Sequence, residues 1–363
     1  MSGWYQSCIY WENMEITLKN ITKKYGSTVA LSQFSCTFSD GELSSLLGPS
    51  GCGKSTLLQL VSGILQPDEG EILMDGVPID EACFEDIKIG YVFQDFSLYP
   101  DMKVFDNIAF PLTNQRKHGC SRKERKAQIA ARVTEIARLL RIEELLGRYP
   151  RELSGGQQQR VAIGRALVKE PDILLMDEPF ANLDKKLAND LRDEIREIQK
   201  KLRITTIFVT HNQGDAIAVS DRIFLMESGH LMQEGTADDL YTAPANLFVA
   251  DFISQFGINL IRRDEAEQYG LSKVKELFAK EKNCFFVALR PEQLMLEPAE
   301  NGGEGYTVLS SAYNGLFAVH TLQKEAVRLC AVGLMPFSPG EKVTVLVKNK
   351  MFGFTENGNK INS

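Results

Sequence analysis

A short apolar segment, Leu43 to Leu47, runs directly into Gly48-Pro49-Ser50-Gly51-Cys52-Gly53-Lys54-Ser55-Thr56, and the apolar helical stretch Leu57 to Leu65 follows at once. Few folds accept that strand–loop–helix order. The glycines let consecutive backbone N–H groups curl around a phosphate, and the helix start adds its partial positive charge. The pattern G-x-x-x-x-G-K-[ST] in this context predicts a nucleotide triphosphate site, in which Lys54 reaches the β- and γ-phosphates and the Ser55 hydroxyl ligates Mg²⁺.

A second segment answers the first. Ile173 to Met176 are four apolar residues that end in Asp177-Glu178. Two carboxylates then stand at the C-terminal edge of a buried strand, where ligands of parallel sheets bind. Asp177 fits the Mg²⁺-associated acid and Glu178 the base that polarises an attacking water. Acids capping a strand are commonplace on their own; beside the Lys54 loop they read as catalytic.

The 363 residues suggest two or three domains. Short strands dominate from Met14 to Ile79, with Glu71 to Met74 entering the hairpin turn Asp75-Gly76. A helical zone spans about 96–169, where Ile129, Val133, Ile136 and Leu140 share one helix face. Buried strands return at Ile173 to Met176 and Thr206 to Val209, separated by the helical stretch Asp184 to Leu202. This alternation predicts an α/β fold with a mostly parallel sheet. Beyond about Phe256, short alternating strands with Gly and Pro punctuation predict a small all-β domain.

Composition narrows the class. The formal charge of −7 is unlike the basic surface of a protein built to hold nucleic acid. The seven cysteines contain no C-x-x-C pair and read as reduced thiols rather than as disulfides or a zinc site. No stretch has the roughly 20 apolar residues of a membrane helix. Met1 to Asn13 lack signal-peptide character. They are expected to be a loose extension, or the true start is Met14.

The segment Leu153-Ser154-Gly155-Gly156-Gln157-Gln158-Gln159-Arg160 resembles the signature of ABC-type ATPases. Other markers of that family surround it in order. Tyr25 matches the aromatic residue that stacks on adenine, Gln94 the Q-loop glutamine, Ala181 to Asp184 the D-loop, and His211 the switch histidine. Tyr25 or His211 alone would more often be structural; in company both read as functional. The resemblance implies ATP and Mg²⁺ as cofactors, with Ser55, Gln94 and Asp177 at the metal and Glu178, His211, Gln94 and Lys54 in catalysis. Tyr25, Gly48 to Thr56, Ser154, Gly155, Gly156, Gln157 and Asp184 would contact nucleotide, the signature residues doing so across a head-to-tail dimer.

The expected fold is therefore a P-loop NTPase of ABC type, with a mixed β-sheet core and antiparallel β and helical subdomains, over residues 14–255. An OB-like regulatory β-domain is expected over 256–363. The tail, including Leu289-Arg290-Pro291-Glu292 and Phe352-Gly353-Phe354, resembles ATP-binding subunits of bacterial solute importers for sugars and glycerol phosphate. Polyamine and ferric-iron importers share the plan. A soluble ABC ATPase acting on DNA or the ribosome is the rival of another class. The importer resemblance implies a homodimer or a closely related second subunit, two integral membrane permease subunits, an indirect extracytoplasmic solute-binding protein and no nucleic acid. It places the chain peripherally on the cytoplasmic face of the cell membrane. The aromatic cluster Phe93, Phe96, Leu98, Tyr99, Phe105 resembles the groove that receives a permease helix. The basic run Arg116 to Lys126 is read as a solvated face.

Overall fold

The computed structural model describes residues 14–79, 87–113, 121–181, 183–299, 305–348 and 351–361. The expected extension Met1 to Asn13, the first half of the basic run, Asn182, Cys8, Cys83 and Cys120 lie outside them. The chain divides into two compact units, Met1–Ala237 and Asp238–Ser363.

The first unit is built on ten strands and six helices among the described residues. Strands β1 (Ile16–Tyr25), β2 (Thr28–Phe38), β4 (Glu69–Met74) and β5 (Val77–Pro78) form an antiparallel sheet in the order β2-β1-β4-β5. The Asp75-Gly76 turn joins β4 to β5 with both residues at positive φ, as a tight hairpin requires. The central sheet has the order β10-β9-β3-β8-β7-β6. It comprises β3 (Leu43–Leu47), β6 (Ile89–Val92), β7 (Ile173–Asp177), β8 (Thr205–Thr210), β9 (Arg222–Glu227) and β10 (His230–Gly235). All its ladders are parallel except β9 with β10.

Parallel strands covered on both faces are apolar throughout rather than alternating. Accordingly every residue of β3 and β8 is buried. Ile173 and Leu175 of β7, with Ile207 and Val209 of β8, enter one core with the antiparallel sheet and helix α1 (Lys54–Val61). Leu174, Met176 and Phe208 enter the other core with the helical zone. That zone holds α2 (Val104–Thr113), α3 (Arg122–Leu139) and α4 (Gly155–Leu167). Ser121 and Glu124 close a capping box at the start of α3, and Val133, Ile136 and Leu140 are buried as their spacing predicts. Helix α5 (Lys185–Leu202) buries Ala188, Leu191, Ile195 and Ile198, and α6 (Gln213–Val219) follows β8.

The second unit carries the expected small β domain and more. Its five-stranded antiparallel sheet runs β13 (Leu294–Pro298), β17 (Lys342–Val347), β14 (Tyr306–Tyr313), β15 (Ala318–Lys324), β16 (Val327–Gly333). The edge strands β13 and β16 approach one another, so the sheet curls toward a partly open barrel. A three-stranded sheet joins β11 (Asn259–Arg262), β12 (Phe286–Leu289) and β18 (Phe352–Phe354). Four short helices, α7 (Ala237–Thr242), α8 (Leu247–Phe252), α9 (Ala266–Tyr269) and α10 (Ser272–Lys280), stand among these strands. The compact division also precedes the change of composition near Phe256. Ala250 of α8 packs in one cluster with Ala288, Phe352 and Phe354, which draws this helix into the second unit. Among the described residues no helix is long and apolar enough to cross a membrane, and Cys36, Cys52, Cys284 and Cys330 are unpaired.

Candidate active site

The C-terminal ends of β3, β7 and β8 carry the loop Gly48 to Thr56, Asp177-Glu178 and His211. The loop needs its glycines for close approach. A Cβ on Gly48 would stand 2.3 Å from Met226 O, and one on Gly53 2.5 Å from Ala30 O. Lys54, only 5% exposed, donates from Nζ to Gly48 O at 2.9 Å and Pro49 O at 2.8 Å. Burial pushes the neighbouring Cys52 thiol up, with Lys54 acting against it. Helix α1 has Gly53 at its start, no side-chain cap and no acidic residue in its first turn. A phosphate group fits this cradle, because the helix start presents positive charge that no acidic residue of its own first turn and no side-chain cap takes up.

Ser55 Oγ donates to Asp177 Oδ1 at 3.3 Å. Burial holds the Asp177 carboxyl above the usual carboxylate range; the Ser55 bond and Lys54 oppose the shift, while Glu178 reinforces it. Burial next to Asp177 likewise raises the Tyr91 phenol. Glu178 sits at φ 44°, a strained setting for a residue with a side chain, and its N–H donates to Val209 O at 3.0 Å. Its carboxylate then meets two side chains from other strand ends. Glu178 Oε1 lies 3.0 Å from His211 Nδ1, and Gln94 Nε2 donates to Oε2 at 3.3 Å. Residues far apart in sequence thus form one hydrogen-bonded set. Tyr25 is half exposed at the end of β1.

Ser154 Oγ accepts from Gln157 N at 3.4 Å, and Ser154 N donates back to Gln157 Oε1 at 3.0 Å, which starts α4 with a capping box. None of these bonds reaches the loop Gly48 to Thr56. Gly156 packs against Leu187, where a Cβ would stand 2.3 Å from Cδ2. Asp184 caps α5 by accepting from Leu187 N at 3.0 Å, so signature and D-loop residues adjoin. Arg160 on α4 pairs with the buried Glu194 of α5, and Arg192 of α5 pairs with Asp215 of α6 at 3.0 Å. A cleft of about 430 Å³ is lined by Glu178, Lys185, Arg192, His211 and Asp215 among others.

Residues 31–181 match the ABC transporter family. The chain is 38% identical over 319 residues to the spermidine/putrescine import ATP-binding protein PotA of Aggregatibacter actinomycetemcomitans, covering 85% of this chain and 84% of that one. It belongs to the ATP-binding subunits of ABC importers. The ABC subunit is also 41% identical over 293 residues to the xylose/arabinose import ATP-binding protein XacJ of Haloferax volcanii, covering 78% of this chain and 75% of that one. A solved dimeric ATP-binding cassette in a post-hydrolysis state, bound to ADP and Pi, matches with a TM-score of 0.53 and 33% identity. It covers 61% of this chain and 98% of its own. The ABC subunit is thus an ATPase of P-loop fold.

Sequence reasoning passed over the side chains that brace this ATPase from behind. Arg160 was read only as the last residue of the signature segment, and Arg165, Arg192 and Asp215 were given no role. A visible signal was Arg165, the one charge within the apolar stretch Val161 to Val168.

The raised Asp177 pKa has a consequence for stability. Ionisation is harder in the folded chain than in the unfolded one, so above the ordinary carboxylate range this group opposes folding. That penalty fades as pH falls through the raised value. Asp177→Asn in the ABC subunit is therefore expected to raise the neutral-pH melting temperature by about 1–4 °C, with the gain shrinking in acid. A scanning fluorimetry series from pH 4 to 8 in which the variant melts below the parent at neutral pH would contradict this.

Proposed function

We propose that Lys54, Ser55, Gln94, Asp177, Glu178 and His211 form the hydrolytic site of an importer motor that works as a head-to-tail dimer. The observation that carries the reading is the set Gln94–Glu178–His211, hydrogen-bonded at the strand ends beside the loop Gly48 to Thr56. In it Glu178 accepts a proton from the attacking water, while Gln94 and His211 hold its carboxylate in place. Lys54 and the loop amides hold the β- and γ-phosphates of ATP, and Tyr25 offers its ring to the adenine. The Ser55 hydroxyl and the Asp177 carboxylate are hard oxygen donors of the kind Mg²⁺ takes, with Gln94 as a further oxygen. When bound, the metal neutralises charge on the phosphates.

Ser154, Gly155, Gly156 and Gln157 of one copy, with its Asp184, would close over ATP held by the other. Supporting this is the dimeric state of the matched cassette. The dimer works at the cytoplasmic face of the cell membrane beneath two permease subunits, which receive solute from an extracytoplasmic binding protein. The Phe93–Tyr99 surface contacts the permease, and the second unit is regulatory. The tail favours a sugar or glycerol phosphate as solute. Likeness to PotA supports a second reading, a polyamine.

The test is ATP turnover of the subunit reconstituted with its permease and binding-protein partners in proteoliposomes, with xylose, glycerol 3-phosphate or spermidine outside. A sugar or glycerol phosphate is expected to stimulate turnover. Stimulation by spermidine alone establishes the second reading, and no response to any of the three removes both solute assignments.

A further inference from the structure

Helix α4 carries, in Arg165, a cation that the hydrolytic set does not use. Arg165 Nη1 donates to Ser97 O at 2.6 Å and its Nη2 to Phe96 O at 2.9 Å. The guanidinium also lies 5.5 Å from the centre of the Tyr99 ring. Burial disfavours its charge, and Tyr99 and Asp95 oppose that effect. The two carbonyls it grips belong to consecutive non-glycine residues in the left-handed region, Phe96 at φ 63° and Ser97 at φ 44°. Such a pair is strained and persists only where its surroundings impose it.

The same stretch is held from its other end. Asn107 of α2 is fully buried. Its Oδ1 accepts from Tyr99 N at 2.8 Å, and its Nδ2 donates to Tyr99 O at 3.0 Å, Met102 O at 2.9 Å and Lys103 O at 3.2 Å. Residues 96–103 have no regular structure, yet side chains of two helices fasten them. The stretch begins two residues after Gln94, whose amide touches Glu178, and it presents the exposed Tyr99. Arg165 thus connects three things: the helix that begins with the signature, the segment that leaves the hydrolytic set, and an exposed aromatic surface.

We propose that Arg165 is a positioning residue that makes the signature helix α4 and the segment after Gln94 one moving part, so that displacement of Ser154–Gln157 reaches the Tyr99 surface. The functional weight of that surface rests on the importer reading above. An arginine suits the task because its planar fork serves two successive carbonyls at once, whereas a lysine ammonium is a point donor on a flexible stem.

The test uses the full chain with Arg165→Lys and Arg165→Gln, both checked for parental melting temperature. Hydrogen exchange is followed at 154–160 and 95–100, with and without ATP, in the Glu178→Gln background. In the Glu178→Gln parent, ATP is expected to change exchange in both segments. In the Arg165 variants the 154–160 response persists, while 95–100 exchanges about tenfold faster and no longer follows ATP. With permease present and Glu178 restored, KM for ATP and basal kcat are expected to stay within about twofold and stimulated kcat to fall about tenfold. Unchanged exchange at 95–100, or stimulated turnover equal to the parent's, overturns the proposal. A parent that permease fails to stimulate counts against the importer reading instead, and the exchange experiment still decides the role of Arg165.

Discussion

Glu178→Gln is expected to bind ATP as the parent does and to release phosphate about 10²–10⁴-fold more slowly, the span a general base contributes. The substitution tests chemistry rather than architecture. The amide has the shape of the carboxylate, its oxygen can accept from Gln94 Nε2, and its NH₂ can donate to a neutral His211 Nδ1. Both contacts at Glu178, 3.3 and 3.0 Å, therefore survive. The backbone bond to Val209 O is untouched as well. What disappears is the capacity to take a proton from water. With hydrolysis arrested, ATP stays in place and the closed dimer accumulates, so size-exclusion chromatography with ATP and Mg²⁺ should show twice the parent's apo mass. Single-turnover phosphate release at the parental rate would remove Glu178 from its role. A monomer under all these conditions, also with permease present, would remove the dimer.

Much of the central sheet was legible because covered parallel strands write themselves as apolar runs. Ile173 to Met176 and Thr205 to Thr210 lie where the sequence pattern puts them, and their alternate residues feed two different cores. The Lys54 loop was legible for a similar reason, since its parts are contiguous. Gln94, Glu178 and His211 were another matter. They come from three strand ends, and no spacing along the chain reveals that β6, β7 and β8 lie side by side in parallel; only the family resemblance brought them together beforehand. Helix α10 was missed because it buries only Val274 and Phe278. A single i, i+4 pair is too little periodicity to stand out in a tail full of strands. The compact units part at Asp238, ahead of the composition change near Phe256, since α8 packs on Phe352 and Phe354, about a hundred residues further on, and such contacts leave no local mark.

Gly53→Ala is the second large effect, and its size follows from where the chain cannot yield. Gly53 has φ 104°, a conformation that costs a side-chain-bearing residue about 1–3 kcal/mol. The added Cβ would also meet Ala30 O at 2.5 Å and Leu31 Cδ2 at 3.0 Å. Leu31 is fully buried in the core beneath the central sheet, and Ala30 precedes it on β2. The carbonyl therefore stays, and the loop must move instead. Gly53 O accepts the bond from Leu57 N that helps open α1, so moving it displaces the helix start and Lys54 together. Those are the groups proposed to hold the phosphates. Gly51 supplies the contrast: it has φ 79°, yet a Cβ there meets nothing within 4 Å, so Gly51→Ala carries the dihedral strain without the collision. ATP titration by calorimetry is expected to show at least about a hundredfold weaker binding for Gly53→Ala, a loss of some 2.8 kcal/mol. The loss for Gly51→Ala should be clearly smaller, and both variants should keep a cooperative melt of the intact sheet. Equal losses at the two positions would mean that backbone strain alone, and not the contact with β2, sets the geometry of the loop.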